Sequence, residues 1–290
     1  MNDPLDQRQI IVEDVVYHIA DGKPLLARLY RPLGHGLSAG MVSVHGGRWC
    51  SETRLTNAVL DYAIAQSGVV VMAIDFRMPP DVQYPAPVSD INFAIRWLKS
   101  RAHAYEINVD MVGGIGTSSG GHQILLNALK PTDQRYAAAV FSHADVPTLH
   151  VPNASLAYVV ACWPVTDPFA RYHYAIARTM VQHIESHQAY WVDEAAMAEG
   201  SPQRIVAEGE ATHLPPLLLV QGTDDTVVTP DMTDRFARAY AAAGGDVELK
   251  KFANERHTFI TKTPKSMASK TAIATIRDFV GERCSFRKPS

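Results

Sequence analysis

Apolar residues in this 290-residue chain follow two alternating rhythms. The runs 10–19 (IIVEDVVYHI) and 25–32 (LLARLYRP) flank Asp21-Gly22 and predict a β-hairpin. Further strand-like runs follow at 41–45 (MVSVH), 69–75 (VVVMAID), 111–116 (MVGGIG), 158–163 (YVVACW), 217–222 (LLLVQG) and 247–252 (VELKKF). Between them, apolar residues recur at the helical period over 57–66, 88–100, 120–129, 232–243 and 266–283. VVVMAID and LLLVQG are apolar without alternation, as strands covered on both faces must be. The pattern predicts an α/β fold, with a mostly parallel central sheet, an antiparallel N-terminal edge and helices on both faces.

The rhythm breaks over 143–213, which holds Trp163, Phe169, Tyr172, Tyr174, Tyr190 and Trp191 and a helical pattern near 173–190. We read it as containing a lid or cap inserted over the carboxyl edge of the sheet, within one domain spanning 1–290. A second apolar stretch at 137–141 competes with 158–163 for the sheet strand, and the pattern alone does not choose between them.

Composition narrows the function classes. The chain is 47% hydrophobic with a net charge of −3, and its lysines and arginines form no basic run. Neither a nucleic-acid partner nor a membrane surface is expected. The longest apolar runs, such as 68–74, fall far short of the roughly 20 residues a bilayer span needs. The opening MNDPLDQRQ is polar and predicts no secretory signal. Cys50, Cys162 and Cys284 are odd in number and widely spaced, so a disulfide framework is not predicted and a cytoplasmic location is. His183 and His187 stand i,i+4 without the paired Glu of HExxH and read as a helix surface; His143 and His150 are dispersed. No metal or cofactor is expected, and a homo-oligomer stays open.

The stretch GGIGTSSGGHQ (113–123) carries the chemistry. A phosphate loop needs Lys and Ser/Thr after its last glycine, but His122 follows Gly121. A dinucleotide fingerprint sits most naturally at the first βα turn, whereas this stretch lies near mid-chain. Gly116 to Gly120 instead fill G-x-S-x-G, in which a strand, a sharp turn and a helix present the central serine, Ser118. The backbone N–H of Ser119 then faces the place where an oxyanion forms. A serine nucleophile needs a base, an orienting carboxylate and further donors. LLLVQG runs into a turn carrying Asp224 and Asp225, VELKKF into a loop carrying His257, and MVSVH into Gly46 and Gly47. Taken alone, the aspartates read as a helix cap, the histidine as a solvated side chain and HGG as a tight turn. All of them in order, each at a strand's carboxyl end, point to acyl transfer.

HGGRW, IDFRMPPDVQYPAPVSDINFAIRWL (74–98), GTSSGG, QGTDDTVV and the ERHTF loop resemble, in the same order, the sequence blocks of the α/β-hydrolase superfamily. The similarity is greatest to the hormone-sensitive-lipase-like and acetyl-esterase-like carboxylesterases and covers about residues 40 to 262. It implies an α/β-hydrolase fold and a cofactor-free serine hydrolase of small-molecule esters. By resemblance, the catalytic residues are Ser118, Asp225 and His257, and the oxyanion donors are Gly46, Gly47 and Ser119. Thr117 replaces the Asp usual before the nucleophile, and Arg48 replaces a glycine. Kynurenine formamidases carry a large residue there too, so amide or formamide hydrolysis is the alternative activity. Arg48 either meets a polar head on the substrate or makes a surface ion pair. Arg48, Trp49 and Trp163 are the candidate substrate contacts, with Arg171 and His173 behind them, and His122 reads as a buried polar neighbour. The other-class alternative, a non-catalytic ligand-binding protein of this fold, is disfavoured because no triad residue is missing.

Overall fold

The computed structural model describes residues 8–34, 36–141 and 152–284. Its strands are β1 (Ile10–Ala20), β2 (Lys23–Pro32), β3 (Ser38–Val44), β4 (Val69–Ile74), β5 (Ile107–Thr117), β6 (Val159–Cys162), β7 (Leu217–Gly222) and β8 (Val247–Phe252). They form one sheet in the order β1-β2-β4-β3-β5-β6-β7-β8. β1 and β2 pair antiparallel, β2 joins β4 antiparallel, and all pairs from β4 to β8 are parallel. Asp21 and Gly22 both take positive φ, 51° and 75°, the backbone that a tight hairpin turn between right-twisted strands requires.

Every residue of β4 and β7 is buried. Each fully buried Val, Leu or Met contributes about 1.5–3 kcal/mol relative to exposure. One apolar cluster lies between the sheet and α2 (Ala86–Ser100), α3 (Ser119–Leu129) and α8 (Pro230–Ala242). A second lies under α1 (Ala58–Gln66), α9 (Phe259–Lys262) and α10 (Met267–Arg283). The edge strand β8 instead carries Glu248, Lys250 and Lys251, charges that discourage pairing with another chain.

Of the two apolar stretches left open, 158–163 contains the sheet strand β6. The stretch 137–141 is irregular, and Phe141 stacks on Phe93 at 4.4 Å with Arg96 over its ring. Part of the proposed lid, 143–151, lies outside the described residues. Its helical part follows β6 as α4 (Pro168–Ala177), α5 (Val181–Tyr190), α6 (Glu194–Glu199) and α7 (Pro202–Ala207). The single helix expected near 173–190 is therefore two. Asp167 starts α4 by accepting from the Ala170 N–H, with Pro168 in the first turn, and Thr179 at φ 54° breaks the chain before α5.

The segment after β4 is fixed by ion pairs. Asp75 accepts from both the backbone and the guanidinium of Arg54. Fully buried Asp90, on α2, takes the Arg77 guanidinium through both oxygens and the Arg77 N–H at 2.9 Å. Asp90→Ala should lower the unfolding free energy by about 3–5 kcal/mol, because the half-buried guanidinium is left without its main partner. The midpoint and slope of urea denaturation measure it.

Candidate active site

The order β4-β3-β5 reverses the direction in which the chain adds strands, so a crevice opens beyond the carboxyl ends of β3 and β5. Val44 and Gly116 are register partners, and the loops after them therefore leave side by side. Ser118 occupies the turn between β5 and α3 at φ 53° and ψ −118°, a conformation costing about 1–3 kcal/mol that persists only where its surroundings dictate it. They do so here. A Cβ on Gly120 would stand 2.3 Å from the carbonyl oxygens of Val44 and His45. The Ser118 N–H donates to Cys162 in β6, and its carbonyl accepts from His122.

Ser118, His257 and Asp225 form one hydrogen-bonded chain. His257 Nδ1 lies 2.7 Å from Asp225 Oδ2, and His257 Nε2 lies 3.0 Å from Ser118 Oγ. With Nδ1–H donating to the carboxylate, neutral Nε2 is left to accept from the serine hydroxyl. Asp225 is 3% exposed. Its Oδ1 accepts the Val227 and Val228 N–H groups, and its Oδ2 also accepts from Gln221 Nε2 at 3.2 Å. Asp224 points to solvent, and its N–H donates to the Glu255 carbonyl, which ties the aspartate turn to the histidine loop. Gln221 escaped the sequence reading. Its signal was a polar residue near the end of an otherwise apolar buried strand, and Thr233 holds its other end at 2.8 Å.

Gly46, Gly47 and Ser119 border the same crevice. Their backbone N–H groups donate to no protein acceptor among the described residues. The Ser119 hydroxyl acts separately, accepting the Trp49 N–H at 3.1 Å and so clipping the glycine loop to the start of α3. Thr117, where an aspartate is usual, donates to buried Asn57 at 3.2 Å. Trp49 is buried, and its indole N–H donates to His122 Nδ1 while His122 Nε2–H donates to the Gly200 carbonyl. These partners fix one neutral tautomer.

Most of the chain, residues 29–240, matches the BD-FAE family model. The chain belongs to the BD-FAE family. It is 25% identical to esterase LipC of Mycobacterium tuberculosis, over 76% of this chain and 52% of that protein. It is 26% identical to an ethyl acetate hydrolase of Pseudomonas putida, over 86% and 76% respectively. The chain thus spans about half the length of LipC. Among solved structures, a Thermogutta terrifontis esterase with propionate bound aligns at a TM-score of 0.74 and 20% identity, covering 99% of this chain and 98% of that one. An esterase of Pyrobaculum calidifontis aligns at 0.76 and 20%, covering 96% and 85%. The fold of this BD-FAE family member is the α/β-hydrolase fold.

In this family member the crevice deepens into a cavity of about 390 Å³, within the range of small-molecule sites. Trp163 walls it beside the His257 ring, 6.2 Å away and steeply tilted. Arg48 reaches it on an exposed positive-φ turn and makes no ion pair among the described residues. His173 turns away to Glu194. The helix-surface reading of His183 and His187 is corrected: both line the cavity, and His187 is buried. That helix packs on Trp49 of the glycine loop through His187 and Tyr190, a placement its own periodicity does not reveal. Among the described residues, no three His, Cys, Asp or Glu side chains cluster as metal ligands do.

Burial holds His122 down to about 4, opposed in part by its bond to Gly200. Burial likewise holds His187 down to about 3, with the nearby Arg171 charge lowering it further. An unfolded histidine takes up its proton near pH 6.5. The unfolded chain therefore binds more protons between about pH 6.5 and 4, and stability falls as pH drops through that window. The urea midpoint should decline from pH 7 to 5, and ring ¹⁵N shifts should show His122 and His187 neutral in the folded protein at pH 5.5.

Proposed function

We propose that this protein is a carboxylesterase-type serine hydrolase that cleaves small-molecule carboxylic esters through an acyl-enzyme. The observation that carries the reading is the Ser118–His257–Asp225 chain at the floor of a cavity of small-molecule size. Ser118 Oγ attacks the ester carbonyl carbon while His257 Nε2 takes the hydroxyl proton. Asp225 keeps the imidazole oriented and stabilises the imidazolium that forms. The unpaired N–H groups of Gly46, Gly47 and Ser119 hold the tetrahedral oxyanion. Collapse breaks the bond to the alkoxide, which leaves with the proton from His257. A water molecule, deprotonated by the same ring, then releases the acid and restores Ser118.

The names of the family's relatives, an esterase and an ethyl acetate hydrolase, support an ester as the substrate. Among the described residues no helix is long and apolar enough to cross a membrane. Cys50, Cys162 and Cys284 are free thiols, in keeping with the cytoplasmic location we assign.

The test is a panel of 4-nitrophenyl esters and aryl formamides, with fluorophosphonate labelling to locate the adduct. Ser118→Ala should lose labelling and about 10⁴- to 10⁶-fold in kcat while keeping its circular dichroism. Turnover of formamides but not esters moves the substrate class. Undiminished turnover in purified Ser118→Ala overturns the assignment.

A further inference from the structure

One charge in the cavity wall has no counterpart in the hydrolytic chemistry. Arg171, on α4, lines the cavity with Ser118 and is 2% exposed. Its Nε and Nη1 are buried without any hydrogen-bond partner, and the side chain forms no ion pair among the described residues. A guanidinium carries five donors and is weakly suited to giving up its proton. Burial pulls Arg171 down to about 10, which still leaves it charged at neutral pH. Buried charges are ordinarily paired, because an unpaired one in a low-dielectric site is strongly unfavourable.

Asp225, whose field favours the charged form of Arg171, does not answer for it. Both of its oxygens are already taken, by the Val227 and Val228 amides, Gln221 and His257. Glu52 apart, the other groups at the cavity among the described residues add positive charge or none. Arg48 and Lys262 line it without ion pairs among the described residues, while His183 and His187 are held neutral by burial and by the arginine itself. Among the described residues Glu52 is the one carboxylate on the lining, and it sits exposed beside Thr56. Among the described residues, no carboxylate pairs with the Arg171 guanidinium.

We propose that the substrate of this site is an ester bearing a carboxylate, which seats on the Arg171 guanidinium while the ester carbonyl meets Ser118. The planar fork of the arginine matches a carboxylate through paired N–H···O bonds. This assignment names the substrate class of the ester hydrolase proposed above and rests on that reading for its catalytic half. Its binding half stands by itself.

Two charged esters are compared with neutral isosteres: mono-4-nitrophenyl glutarate with 4-nitrophenyl pentanoate, and 4-acetoxybenzoate with its methyl ester. The first pair places the carboxylate on the acyl side and the second on the alcohol side. In the wild-type protein at least one charged ester should exceed its isostere in kcat/KM. Arg171→Met should cut that ratio about 30-fold or more, and Arg171→Lys should restore part of it. A structural arginine would alter the unfolding midpoint without moving the ratio. Separately, calorimetry of Ser118→Ala with glutarate and with 4-hydroxybenzoate should show binding by at least one, lost in the Ser118→Ala/Arg171→Met double variant. Preference for the neutral ester in both pairs, or an unchanged ratio in folded Arg171→Met, overturns the proposal. Carboxylate binding without hydrolysis of any ester would sink the esterase reading and keep the anion site; hydrolysis indifferent to charge would do the reverse.

Discussion

Backbone carbonyls of Val44 and His45 lie so close to the start of α3 that a single methyl group on Gly120 would collide with both. That close approach is the constraint from which the rest of the site follows. It brings the loop after β3 against the turn after β5, and Ser119 Oγ then reaches the Trp49 amide. It also forces Ser118 into its positive-φ conformation, which lifts the hydroxyl above the sheet toward His257. The strain at Ser118 is held by parallel strands on either side. β3 supplies the carbonyls that leave no room for a Cβ, and β6 accepts the Ser118 N–H.

Around this turn the protein separates two kinds of polar group. One kind is saturated: each Asp225 oxygen has its donors, His122 is held between Trp49 and Gly200, and Gln221 is bonded at both ends. Such groups are held in a single geometry. The other kind is left open and faces the cavity, namely the glycine-loop amides, the Ser119 amide and the Arg171 guanidinium. Saturated groups set geometry, and open ones are the groups to which the proposed chemistry assigns ligand charge. The helices α4 and α5 matter for that reason. They line the crevice with Arg171, His183 and His187, so that wall is built apart from the turn that holds Ser118.

Much of the fold is legible in the apolar pattern, because a strand buried on both faces must read like VVVMAI and an amphipathic helix must repeat at its own period. The elbow was legible too, since only glycine fits where strand and helix backbones touch. The pattern was silent where short local signals compete. The stretches 137–141 and 158–163 have similar composition, and only the vacancy beside β5 shows which one joins the sheet. The split between α4 and α5 rests on one residue, Thr179, whose left-handed backbone is not implied by its type.

Residue type and order along the chain determined the α/β alternation, the serine turn and the set of strand ends from which His257, the aspartate pair and the paired glycines emerge. These are local properties, governed by side-chain periodicity and by where a Cβ can stand. Whether Gln221 supports the aspartate that meets His257, and whether Arg171 and His187 face water or the cavity, were decided by the tertiary structure alone. Each depends on segments far apart in the chain packing against one another, and no spacing within a single segment encodes that contact.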